Sequence, residues 1–78
     1  MRGKIVGLRK FVGKKEGSGE WVNVWLAVPM PDGGIGIDVE KFLCRPSVLP
    51  DAPEKLANKE ILVSTRNNFI SEIVVLEK

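Results

Sequence analysis

Few side chains in this sequence could carry covalent or acid–base chemistry. The 78 residues include no histidine and no tyrosine, so the commonest general acid–base side chain is absent. Cys44 is the single cysteine and has no histidine to activate it, so we predict a buried thiol at the end of a strand. Asp38 and Glu40 share one face of a predicted strand, where two solvated acids are commoner than a carboxylate pair or a metal site. We therefore expect a protein that is not an enzyme and that uses no metal or cofactor.

Basic side chains, by contrast, are concentrated at the start of the chain. The first 15 residues hold half of the 12 lysines and arginines and none of the 10 acids. Among them, Lys14 and Lys15 lie in a glycine-rich segment, 13–19, which predicts an exposed connection. Local positive potential attracts polyanions whatever the net charge. The alternative interpretation is a basic edge strand whose lysines oppose aggregation.

Two tryptophans follow this connection on one face of a predicted strand. Trp21, Asn23 and Trp25 alternate with an aliphatic stripe that we assign to the core. Outward indoles stack on nucleic-acid bases of any sequence. Two other interpretations stay open. In the first, the N-terminal strand or a later connection covers the indoles, which then form a second small core. In the second, the indoles form an interface with a partner or a second copy.

A basic and aromatic group also precedes the connection. Arg9 and Phe11 share a strand face with Lys10 between them, an arrangement suited to a nucleotide, although Phe11 is equally compatible with the core. Asp38 and Glu40 oppose this interpretation, because we expect them to face the same way as the tryptophans and to repel phosphates. The candidate contacts for a single strand of nucleic acid are Arg9, Lys10, Phe11, Lys14, Lys15, Trp21, Asn23 and Trp25.

The elements that must position these side chains are short strands. The segment 45–59 contains three prolines, which exclude it from a sheet. It has room for at most two helical turns, with Asp51 as a cap and Leu56 packed inward. The whole chain, 1–78, is then one domain with a small core. Alternating and β-branched residues predict strands over 4–12, 20–28, 35–40, 60–65 and 69–76.

Length and composition limit the range of partners. A barrel of this size could hardly enclose a small-molecule substrate without losing its core, so we expect any ligand to lie on the surface. No segment approaches the roughly 20 apolar residues of a membrane span, and no targeting signal is evident, so no membrane is expected. A lone cysteine cannot form an intramolecular disulfide, which favours a reducing, cytoplasmic location.

The predicted order of elements resembles that of the OB-fold, a five-stranded Greek-key barrel whose second and third strands bind oligonucleotides. The features that carry the resemblance are Gly7, which bends the first strand, and the irregular element before the fourth. Small SH3-like barrels share part of this pattern. The resemblance implies an all-β, five-stranded antiparallel OB-like barrel with a short helix or irregular crossover between strands 3 and 4.

More narrowly, the chain is similar to the short single-stranded-DNA-binding proteins of filamentous phages and related mobile elements. The similarity lies in size, in the basic glycine-rich loop, in the proline-containing crossover and in a closing hairpin, 61–64 with 70–76. Members of that family often stack bases on tyrosine and phenylalanine. In this chain, Trp21 and Trp25 would take that place.

The sequence thus predicts a non-catalytic protein that binds single-stranded nucleic acid without strong sequence preference. We expect DNA as the polymer and a homodimer as the assembly. The resemblance alone favours a phage or mobile element as the source. The alternative, from a different class, is a protein-interaction or assembly module that docks a partner on the tryptophan-bearing face.

Overall fold

The computed structural model describes residues 1–14, 17 and 19–76, and these residues form five strands. Two short helical segments, the 3-10 turn Pro46–Val48 and the one-turn helix α1 (Pro53–Leu56), lie between the third and fourth strands. This order of elements confirms the predicted sequence of strands and crossover. The strands are β1 (Arg2–Val12), β2 (Glu20–Pro29), β3 (Ile37–Cys44), β4 (Glu60–Arg66) and β5 (Phe69–Val75).

The sheet is a closed barrel in the order β1-β2-β3-β5-β4, and its pairing is mixed. Four of the strand pairs are antiparallel, but β3 runs parallel to β5 at the pair Leu43 and Phe69. The prediction of a fully antiparallel barrel is therefore wrong. The reason is geometric, because strand directions cannot alternate all the way around a closed ring that contains an odd number of strands.

The core of the barrel is built on the inward face of β2. Val22, Val24 and Leu26 are fully buried, so the predicted aliphatic stripe is confirmed as the core face. Cys44 is only 1% exposed, as predicted for a buried thiol, and burial raises the pKa of that thiol to about 11. The other strands and α1 contribute Ile5, Phe42, Leu56, Ile61, Val63, Ile70 and Ile73.

The first strand passes very close to the second. A Cβ atom on the buried Gly3 would lie 3.0 Å from the Ala27 carbonyl oxygen and 3.1 Å from Cγ1 of Val28. The register of β1 against β2 then shifts between Ile5 and Gly7. This irregularity in the pairing lies next to Gly7, and it sets which later residues of β1 point outward.

The third strand departs most from its prediction. It begins at Ile37 rather than at residue 35, and the side chains of Ile35, Ile37 and Val39 are 98%, 70% and 53% exposed. The inward positions of β3 are instead those of Phe42 and Cys44, which are buried. With a period of two residues, the even-numbered positions of β3 face the core and the apolar odd-numbered positions face outward.

This register also moves the acidic side chains of β3. Asp38 pairs with Val28, and Glu40 pairs with Leu26, so both acids share the face of the core residues of β2. The expectation that they face the same way as the tryptophans is therefore wrong. They remain in contact with solvent, since Asp38 is partly exposed and Glu40 is exposed.

The crossover packs against the first strand and the core. Leu56 is 1% exposed, as predicted, and Asn58 and Lys59 form backbone hydrogen bonds with both polar groups of Ile5. Asp51 does not cap α1, since the N-cap is Ala52, whose backbone N–H donates to Asp51 Oδ1 over 2.8 Å. Neither helix in the described part of the chain is long and apolar enough to cross a membrane.

Candidate nucleic-acid interface

The outward side chains of β1, β2 and β3 form one continuous surface, which we call the aromatic face. Cross-strand pairs fix its composition, because residues directly opposite each other in antiparallel strands point to the same side. Near the tryptophans, the outward pairs between β1 and β2 are Phe11 with Trp21, Arg9 with Asn23, and Gly7 with Trp25. Between β2 and β3 they are Asn23 with Leu43 and Trp25 with Lys41.

Trp21 lies at one end of this face within a cluster of aromatic and basic groups. The guanidinium carbon of Arg45 is 3.6 Å from the centroid of the indole, within the range of a cation–π interaction. Arg45 Nη1 also donates a hydrogen bond to the Glu20 carbonyl oxygen over 3.2 Å. On another side, the ring centroid of Phe69 is 5.8 Å from that of Trp21, with the ring planes tilted by 51°. Trp21 is therefore held in place by its neighbours and is only partly exposed.

Trp25 lies further along β2 and is supported by β1. A Cβ atom on Gly7 would lie 3.4 Å from Cε3 of the indole, at van der Waals contact. The indole thus extends over the backbone at Gly7, where the missing side chain leaves space for a flat ring. Its neighbour on the other side is Lys41 of β3, which is exposed. Trp25 is partly buried and does not belong to the hydrophobic core.

The charges on the aromatic face have one sign among the residues that the structure describes. The outward positions of β1, β2 and β3 near the tryptophans carry Arg9 and Lys41, and Arg45 follows directly after β3. No outward position of these strands carries a described carboxylate, because Asp38 and Glu40 occupy positions on the opposite side of β3. The repulsion between acids and phosphates that the sequence led us to expect is thereby removed from this surface.

The structure brings five of the predicted contact residues together on one face and places Lys10 on the other side of β1. Lys10 pairs with Val22 and is exposed on the opposite side of β1 from the aromatic face. Lys14 is exposed in the connection after β1, and Lys15 lies outside the described residues. The residues brought together are Arg9, Phe11, Trp21, Asn23 and Trp25.

Three residues of this surface were not found from the sequence. Lys41 could have been placed on the aromatic face by counting back from Phe42 and Cys44 at a period of two residues. The same count continued through Leu43 reaches Arg45, which follows Cys44, the partner of Val22, and so lies opposite Trp21. Phe69 gave no local signal, since it reaches Trp21 because the start of β5 meets the end of β3 at the parallel pair of the barrel.

Comparisons with models of protein families, with curated proteins and with solved structures found no match to this chain. The arrangement of the aromatic face is suited to binding, because flat rings and fixed cations recognise ligands by stacking and charge. Within the described residues, no three side chains of cysteine, aspartate or glutamate are grouped to hold a metal ion. The raised pKa of Cys44 leaves its thiol protonated, and so poorly nucleophilic, near neutral pH.

Proposed function

We propose that this protein binds single-stranded nucleic acid, with DNA as the polymer to test first, on the aromatic face of an OB-like barrel. The observation that carries the proposal is the combination, on one side of β1, β2 and β3, of two supported indoles with basic side chains and no described carboxylate. The position of this surface on the second and third strands of a five-stranded barrel adds support, because OB-folds bind oligonucleotides there.

The indoles favour a single strand over a duplex. A base stacks on an aromatic side chain only when its own face is free, and in a duplex both faces are covered by neighbouring base pairs. Each such contact contributes about 1 to 3 kcal/mol and accepts any base. Trp21 and Trp25 are four residues apart on β2, about 13 Å at the rise of a strand, so each would hold a different base of one strand.

The basic side chains favour a phosphate backbone that crosses the face between the indoles. Arg9 of β1 and Lys41 of β3 flank β2 from opposite sides, next to Asn23 and Trp25 respectively. A single strand that stacks on both indoles passes between these cations. Each phosphate contact releases condensed counterions, so binding should weaken steeply as salt is added.

The direct test is a titration of the protein with a labelled oligothymidine and with a duplex of equal length. We expect tighter binding of the single strand, quenching of tryptophan fluorescence, and a log-log salt slope of about 0.7 per phosphate contact. Leu62→Ala is the control, because Leu62 is a 46% exposed apolar side chain on β4, outside the aromatic face. Equal affinity for duplex and single strand, or no binding at low salt, would refute the proposal.

A second candidate function is the docking of a protein partner. It is favoured by the apolar side chains of Ile35, Ile37 and Val39, which are at least half exposed and continue the surface of β3 beyond Lys41. Contiguous exposed apolar groups mark interaction sites in many proteins. Sedimentation of the parent and of Ile37→Ser tests the homodimeric form, since that substitution should lower the mass only if the surface joins two copies.

A further inference from the structure

We infer that Arg9 and Asn23 form a base-reading pair that makes guanine the preferred base on the aromatic face. The inference rests on the proposed function and deepens it, because indoles alone would accept every base equally. It is carried by two unpartnered polar side chains that the register of β1 and β2 places opposite each other, between Trp21 and Trp25.

The geometry of the pair follows from the antiparallel register. Arg9 and Asn23 are direct cross-strand partners, which places their Cβ atoms about 4.5 to 5.5 Å apart on one face. In the described part of the chain, neither side chain forms an ion pair or a hydrogen bond. Arg45, in contrast, already has Trp21 and Glu20 as partners. The donors and acceptors of Arg9 and Asn23 are therefore available to a ligand. When Arg9 reads a base, Lys41 remains as the cation for the neighbouring phosphate.

The chemistry of the two groups selects among the four bases. A guanidinium only donates hydrogen bonds, whereas a carboxamide both donates and accepts. Guanine presents O6 and N7 as adjacent acceptors for Arg9, which is the commonest specific contact of arginine with a base. Its N1–H lies next to O6 and can donate to Oδ1 of Asn23. Adenine carries an amino donor where guanine carries O6, and thymine has no two adjacent acceptors. Unpaired cytosine does present O2 and N3 beside its amino group, but its single ring stacks on an indole over a smaller area than a purine does, so guanine serves the site best.

The first experiment compares oligothymidines of about eight nucleotides in which the central base is thymine, guanine, adenine or cytosine. We expect the guanine oligonucleotide to bind about 5- to 50-fold more tightly than the others. Hypoxanthine keeps N1–H, O6 and N7, so it should match guanine. In 7-deazaguanine the acceptor N7 is missing, and the preference should be largely lost.

The second experiment uses variants that separate charge from geometry. Arg9→Lys keeps the positive charge but removes the planar fork, so oligothymidine affinity should stay within about twofold while the guanine preference falls clearly. Asn23→Ala should reduce the preference in the same way. Lys10→Ala is the matched control on the other side of β1, and it should leave the preference unchanged.

The outcomes separate this inference from the function on which it rests. Equal binding of all four oligonucleotides, or a preference for both purines alike, would overturn the base-reading pair and leave single-strand binding in place. A guanine preference that is undiminished in Arg9→Lys would also overturn it. If no oligonucleotide binds the parent at low salt, the proposed function itself fails.

Discussion

Replacing Trp25 with leucine should separate the stacking of this side chain from its packing. Trp25 is partly buried against Gly7, so truncation to alanine would remove packing together with the π-system. Leucine keeps an apolar side chain over β1 but offers no aromatic face. We therefore expect Trp25→Leu to remain folded and to bind a single strand weakly.

The position of Trp25 determines how much Trp25→Leu should change the binding free energy and the free energy of unfolding. Loss of one base–aromatic contact should reduce the binding free energy by about 1 to 3 kcal/mol, which is roughly 5- to 150-fold in Kd. The free energy of unfolding should fall by only about 1 to 2 kcal/mol, since leucine replaces most of the apolar contact. Leu26→Ala, at a fully buried position on the same strand, should cost about 2 to 5 kcal/mol and serves as the stability reference.

The assay combines fluorescence polarisation of a labelled oligothymidine with urea unfolding of each variant. Trp21→Leu should weaken binding less than Trp25→Leu does, because Arg45 already lies over the ring of Trp21. Leu62→Ala should leave binding unchanged. The reasoning is refuted if Trp25→Leu stays folded and binds as tightly as the parent. It is also refuted if the substitution costs more stability than Leu26→Ala, which would assign the indole to the core.

Three further predictions concern charge, backbone approach and burial. Lys41→Gln should lower the log-log salt slope of single-strand binding by about 0.7, measured in a salt titration. Gly3→Ala should lower the free energy of unfolding by about 1 to 3 kcal/mol, because its Cβ would lie 3.0 Å from a backbone oxygen of β2. Gly7→Ala should change it by less than about 1 kcal/mol in the same urea titration. Because burial raises the pKa of Cys44 to about 11, the free energy of unfolding should fall as pH rises from about 9 to 11, and Cys44→Ala should reduce that fall in unfolding measured across this range.

The second strand was predictable because its sequence alternates without interruption. Val22, Val24 and Leu26 fall on one face at a period of two, and burial of that face alone fixes the outward direction of Trp21 and Trp25. Proline and glycine marked the limits of the crossover and of the first connection equally well. The direction of the β2 side chains and the limits of the two connections could therefore be predicted from neighbouring residues alone.

The third strand was not predictable in the same way because two patterns compete within it. Its first half alternates with apolar side chains at Ile37 and Val39, whereas its second half is apolar at three successive positions, 42–44. Only the second half lies over the core, where Phe42 and Cys44 are buried, so it decides the register for the whole strand. A rule that weights the longer alternating run assigns every side chain of the strand to the wrong face.

The remaining part of the site follows from closure of the barrel rather than from any local pattern. Five strands in a closed ring require at least one parallel pair, and here that pair joins the end of β3 to the start of β5. The parallel direction brings Phe69, the first residue of β5, beside Leu43 and within 5.8 Å of Trp21. An antiparallel β5 entering from the opposite end would place Phe69 away from the tryptophans. The contact between Phe69 and Trp21 is thus a consequence of where the parallel pair falls in the barrel, and the residues around Phe69 carry no sign of it.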